Sequence, residues 1–276
     1  MKTTTIQCWM FCLAMMCAGV ATAQTGSEKI PIPLTDPNRP MFLKVALISG
    51  GITVKGYSGK EVIVEATRGK EEEEEQGEKK EGKLKLIPNT SLGLTAEEED
   101  NTVSVSTGLR GISNRIDLTI QVPSACSMKL STVNDGDIDV ENVNGELEIN
   151  NTNGAITLKQ IAGSAVAQTV NGDVHVVFTR VSEQKSMSFS TLNGDIDVTF
   201  PASLKATVQL KSEQGEIYSD FDVQMQKTEA RIDKNEQGKG KYRVTLEKAM
   251  RGTINFGGQE LQFNSFNGSI YIRKGG

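Results

Sequence analysis

The side chains in this chain that could do chemistry are mostly acidic, and they recur at fixed distances from glycine. One residue after a glycine stand Asp137, Asp173, Asp195 and Glu216, and three residues after it stand Asp139, His175, Asp197, Tyr218 and Tyr271. If successive repeats stack, Asp173, Asp195 and Glu216 lie one above another. Carboxylates about 5 Å apart repel, and a bound cation relieves that repulsion. Calcium suits hard oxygen ligands, so these three residues are the candidate metal ligands. The competing role is a solvated acidic face that keeps the molecule soluble. Tyr218 and Tyr271 are the aromatic pair of the outer column and could stack on a sugar ring. His175, in VNGDVHVV, has Asp173 and Asp197 as prospective neighbours.

Other chemistries are excluded by count. His175 is the sole histidine, so a zinc site built on several histidines is impossible and any Ser-His-Asp triad must use it. The EF-hand template fails around NDGDIDVEN, because no acidic residue falls at its twelfth position. Calcium β-roll text of the GGxGxD type is absent, since neither Gly50-Gly51 nor Gly257-Gly258 continues into it. A polysaccharide lyase wants Lys or Arg inside its acid cluster, yet between Val133 and Phe178 the only basic residue is Lys159. No catalytic residue and no cofactor is therefore assigned.

These side chains must be positioned by a repeat. Glycines fall at 136, 145, 154, 163 and 172, nine residues apart each time, and Gly194, Gly215 and Gly268 follow at wider intervals. The unit reads Ser/Thr/Asn, any residue, Asn, Gly, then polar and apolar residues alternating. Asn-Gly turns the chain sharply, and the alternation after it is a strand with one buried face. The buried positions are Ile138/Val140, Leu147/Ile149, Ile156/Leu158, Val174/Val176, Ile196/Val198 and Ile270/Ile272. Ala165/Ala167 make a thinner layer, and Ile217/Ser219 narrow the core. A hairpin every nine residues also fits Asn-Gly, but near-identical units favour stacked coils of about 18 to 22 residues, with two or three strands each. The fold class expected is all-β, a parallel β-helix or β-solenoid-like stack with half-coils of about nine residues. Asn144, Asn153, Asn171, Asn193 and Asn267 are expected to form a ladder, interrupted by Ala162 and Gln214.

Residues 1–23 read as a cleaved signal peptide, with Lys2, a thirteen-residue apolar stretch from Cys8 to Val20, and Ala21-Thr22-Ala23 before Gln24. That stretch is too short to span a bilayer, so no transmembrane segment is expected after cleavage. Cys8, Cys12 and Cys17 leave with the signal, so Cys126 remains alone and no intrachain disulfide can form. The chain's net charge of −5 becomes −6 once Lys2 is lost, which argues against nucleic acid as a partner. Residues 24–40, with four prolines, read as an extended leader. Residues 41–276 read as one solenoid domain, with an acidic loop at 71–81 and an insertion at 222–264.

The NGDI-type repeats, the segment RIDLTIQVPSACSMKL (Arg115 to Leu130) and the closing NGSIYIRK (Asn267 to Lys274) resemble the exported bacterial putative-adhesin family. That family is a domain of unknown function with short Asn-Gly β-repeats, similar to the head domain of autotransporter adhesins. The resemblance covers about Met41 to Lys274. It departs at the acidic loop and at the extra residue in Asn134-Asp135-Gly136. It implies a parallel β-helix-like fold, a surface or envelope location and no catalytic residues. The expectation is a non-enzymatic module presenting a polar face to a glycan or protein partner at the envelope, in the periplasm, on the outer surface or outside the cell. A polysaccharide-active enzyme on a β-helix and a self-associating envelope scaffold are the alternatives.

Overall fold

The computed structural model describes residues 28–68, 93–107, 115–226, 231–233, 243–245 and 249–276. The expected signal peptide at 1–23, the expected acidic loop at 71–81 and part of the expected insertion at 222–264 lie outside these residues. No helix occurs among them, and the chain is all-β.

Two ladders of strands carry the stack. The first runs β1 (Glu28–Pro33), β4 (Glu61–Arg68), β7 (Ile116–Pro123), β3 (Ile52–Tyr57), β9 (Ile138–Glu141), the first part of β11 (Ile156–Gln168), β12 (Val174–Val181), β14 (Ile196–Phe200), β22 (Ile270–Lys274) and β16 (Ile217–Ser219). The second runs β5 (Leu94–Glu99), β6 (Thr102–Thr107), β2 (Met41–Ala46), β8 (Cys126–Thr132), β10 (Asn144–Asn151), the last part of β11, β13 (Met187–Asn193), β21 (Gln259–Asn267), β15 (Ala206–Ser212), β20 (Met250–Ile254) and β17 (Val223–Met225). Pairing is parallel through the middle of both ladders and antiparallel only towards their ends. A short separate pair, β18 (Arg231–Asp233) with β19 (Arg243–Thr245), is antiparallel.

The repeat explains the register. Ile156 sits beside Ile138 on one side and Val174 on the other, so one coil is 18 residues and holds two nine-residue units. Strand β11 serves both ladders. A register shift between Leu158 and Ile161, with Gln160 at φ 54°, carries it from one to the other. The inward +2 and +4 side chains are buried from Ile138 through Ile272, Ala165 and Ala167 included, and belong to one core. Ile217 is half-buried and Ser219 exposed, so the core does narrow there. Four phenylalanines, Phe178, Phe189, Phe200 and Phe263, interlock within it, with the Phe178–Phe200 and Phe189–Phe263 centroids each 5.3 Å apart.

Two expectations are corrected. The fold begins before Met41. Strand β1 lies in the 24–40 leader, Ile32 and Leu34 are buried, and the Asp36 N–H donates to Asn101 Oδ1 at 2.7 Å. Alternation around the prolines allows this leader to be a strand. Pro31 and Pro33 donate nothing to the sheet and so suit its edge, where they also blunt further strand addition. Coils also do not stack in chain order. After β14 the chain skips a level to form β15 and β16, returns through β17 and β20, and fills the gap last with β21 and β22.

Candidate functional site

The outer face of the first ladder carries three columns, of which the first two hold most of the sequence-predicted residues and the third begins with Lys55, Glu141 and Lys159. Nearest the turn stand Asp137, Ala155, Asp173, Asp195, Ser269 and Glu216. Each aspartate there uses a carboxylate oxygen on the next coil. Asp137 accepts from the Ala155 N–H at 2.8 Å, Asp173 from the Asp195 N–H at 2.8 Å, and Asp195 from the Ser269 N–H at 2.7 Å. These bonds hold charged acceptors against backbone donors in a repeating pattern. The late insertion of β22 puts Ser269 between Asp195 and Glu216, and the Glu216 N–H bonds the Ser269 hydroxyl at 3.2 Å. Asp173, Asp195 and Glu216 therefore do not form the uninterrupted stack expected of them. Among the described residues no three acidic, histidine or cysteine side chains are grouped to hold a metal ion.

The middle column reads Thr53, Asp139, Thr157, His175, Asp197, Tyr271, Tyr218. His175, Tyr271 and Tyr218 thus share one line. Asp197 separates His175 from the tyrosines, and the Arg273 Nε donates to both its oxygens at 2.8 and 2.9 Å. The Tyr218 and Tyr271 rings stack at 5.2 Å between centroids and 8° between planes, and the Arg273 guanidinium lies over Tyr271 at 5.3 Å. Tyr271 is sandwiched, so only the outer face of Tyr218, which is exposed, is open to a sugar.

At the other end of the same face, Thr53, Lys55, Asp139, Glu141, Thr157 and Lys159 line a shallow hollow of about 220 Å³. Lys55 and Lys159 flank Glu141 in register. Desolvation and the charge of Asp137 raise the Asp139 carboxyl above the usual carboxylate range, while Lys159 and Thr157 oppose the shift. Sequence reasoning missed this hollow because Lys55 comes from a coil 86 residues before Glu141. The pairing of β3 with β9 unites them.

Beside the face runs a structural spine. The Asn153 amide donates to Asn134 Oδ1 at 3.2 Å, Asn171 to Asn153 at 2.8 Å, Asn193 to Asn171 at 2.7 Å, and Asn267 to Asn193 at 2.8 Å. The ladder therefore contains Asn134 and lacks Asn144, which lies in the other ladder opposite Ala162. The extra residue, Asp135, adopts φ 55°, which keeps Asn134 in the ladder and Gly136 in its own column. The first residue of the repeat is buried and satisfies a glycine carbonyl. Thr132 donates to Gly50 O, Asn151 to Gly136 O, Thr169 to Gly154 O, Thr191 to Gly172 O and Ser265 to Gly194 O, between 2.8 and 3.2 Å. Cys126 is fully buried, and burial pushes its thiol up to about 12, so it is not a reactive group.

No curated protein matches the chain. Among solved structures it is similar to a putative cell adhesion protein from Clostridium sporogenes, at 12% identity over 91% of this chain and 100% of that one, with a TM-score of 0.45. It is also similar to a putative adhesin from Bacteroides fragilis, at 11% identity over 90% of this chain and 97% of that one, with a TM-score of 0.41. A putative adhesin from Parabacteroides merdae, at 10% identity over 90% and 97%, has a TM-score of 0.29. Residues 112–256, which contain most of the Asn-Gly repeats, match the Toastrack DUF4097 family. The repeat text and the stack it builds are thus those of a known family, and this chain belongs to the Toastrack DUF4097 family.

Proposed function

We propose that this protein is an exported, non-enzymatic interaction module of the cell envelope or surface, which presents the outer face of its first ladder to a glycan or a protein. The observation that carries this reading is the end of the middle column. Arg273 and Tyr271 hold the ring of Tyr218 in a fixed stack, with one flat aromatic surface open and Asp197 and Arg273 beside it. Such a surface is preorganised, because the side chains are already ordered before a ligand arrives. A glycan-array screen of the chain from Gln24 onward, with calcium and with chelator, tests it. Binding lost in Tyr218→Ala supports the glycan arm, and loss in chelator adds calcium, with Asp173 and Asp195, still neighbours in their column, as the carboxylates to substitute first. Absence of binding in both buffers removes the glycan arm.

One observation favours a second reading, a polysaccharide-active enzyme. The hollow holds two carboxylates, Glu141 between Lys55 and Lys159 and Asp139 between Thr53 and Thr157, with Asp139 held towards its protonated form. Acidic and neutral polysaccharides incubated with the wild-type chain and with Asp139→Asn test it. Release of reducing ends or unsaturated products by the wild type alone supports the enzyme.

A further inference from the structure

Where the chain skips a level, the edge between the two ladders opens into a cleft. Residues 201–205 climb from β14 past one level to β15, and residues 255–258 come back over them to start β21 in the gap. The crossing is pinned. The Asn255 amide donates to the Leu204 carbonyl at 2.7 Å, and a Cβ on Gly258 would sit 2.3 Å from the Lys205 carbonyl oxygen, so only glycine passes there. The cleft, of about 260 Å³, lies between this crossing and the end of β12. Arg180 and Lys205 line it against one carboxylate, Glu183, with Val181 and Pro201 as apolar surface. Among the described residues none of these three charged groups is in an ion pair.

Gln259 also lines the cleft, and it is the anomaly of the core. It heads β21 in the inward register of Leu261 and Phe263, and is 9% exposed. Ala206 faces it on one side, while on the other β13 pairs with β21 only from Leu261 onward. Of the buried side-chain polar atoms among the described residues, its Nε2 and Oε1 alone lack a hydrogen-bond partner. A buried amide left unpaired costs stability, so its retention points to a group that completes it. That group must donate and accept side by side. A trans peptide turns its N–H and C=O to opposite sides and serves one of the two atoms, whereas neighbouring sugar hydroxyls serve both. Two cations to one carboxylate, in a chain of net charge −5, select an anion. Val181 and Pro201 suit the C–H face of a sugar ring.

We propose that this cleft binds an acidic saccharide, its carboxylate held by Arg180 and Lys205 and two neighbouring hydroxyls by the Gln259 amide. The amide is closed to bulk water, so the sugar enters by parting the exposed side chains of the rim. The proposal rests on the glycan arm of the function proposed above and gives the glycan's class, at a second site on the edge of the stack. Calorimetric titration of the chain from Gln24 onward with tri-galacturonate and sialyllactose, against maltotriose and lactose, tests it. At least one acidic sugar should bind at least tenfold more tightly than the neutral ones, and Arg180→Gln with Lys205→Gln should abolish that preference. Gln259→Met keeps the length of the side chain. It should weaken binding at least tenfold while the melting temperature holds or rises, because an unpaired amide is removed. Tyr218→Ala should leave this binding intact. No preference for the acidic sugars, binding unchanged in Gln259→Met, or tighter binding of acetyl-dialanine than of either acidic sugar overturns the proposal. Loss in Tyr218→Ala with Gln259→Met unaffected returns the glycan to the outer face and overturns the edge site alone.

Discussion

The nine-residue repeat builds two columns of glycine on different edges of the stack, and they end very differently. The long column, Gly136, Gly154, Gly172, Gly194, Gly268 and Gly215 in spatial order, runs almost the length of the first ladder. The carbonyls of Gly136, Gly154, Gly172 and Gly194 are each capped by a buried side chain, and the asparagines beside them bond from coil to coil. The short column consists of Gly145 and Gly163, beside Asn144 and Ala162. There no amide ladder forms, and the Asn144 side-chain oxygen accepts from the Arg180 guanidinium at 3.5 Å. The same text gives a cooperative spine where the neighbouring coil repeats it, and an ordinary turn where it does not. A ladder is a property of adjacent coils, since each amide needs another at the same height.

The sharpest way to break the comparison is to fill the long column. Gly172 has φ 153°, and a Cβ there would sit 2.2 Å from the Gly154 carbonyl oxygen, with only backbone to yield. Gly172→Ala should cost about 3–5 kcal/mol in denaturant unfolding, or prevent folding altogether. A smaller effect separates the two columns directly. Asn171 both donates and accepts in the ladder, so Asn171→Ala should cost about 1–2 kcal/mol, whereas Asn144→Ala should stay within about 0.5 kcal/mol. Equal losses at the two sites would show that the ladder adds nothing. The smallest expected effect concerns the hollow. The folded carboxyl of Asp139 is raised, so the native state binds its proton more tightly than the unfolded chain and loses stability as pH rises through the folded value. Asp139→Asn should therefore raise the melting temperature slightly at pH 7 relative to wild type, with the gain shrinking towards pH 4.

Much of the fold is legible in the residues because period-two burial is local. Ile138/Val140 and Ile270/Ile272 announce their inward faces without reference to any partner. The Asn-Gly dipeptide was legible for only half its reason. Gly154, Gly172 and Gly194 do take positive φ, but the asparagines before them do not, and are there for the amide ladder. Strand β1 was hidden because prolines read as linker until an antiparallel partner, Glu61–Arg68, gives them an edge to occupy.

The residues by themselves determined an all-β repeat, the identity of its buried faces, and the alignment of His175, Tyr271 and Tyr218 on one outward column. These follow from alternation along a strand, which needs no knowledge of distant contacts. Only the tertiary structure decided which coil lies on which. The skipped level after β14 put Ser269 between Asp195 and Glu216, set Tyr271 against Tyr218, and placed Asn267 on Asn193 in the amide ladder. Stacking order depends on where a long connection returns, and repeats that look alike fit any neighbouring coil, so no local signal can fix it.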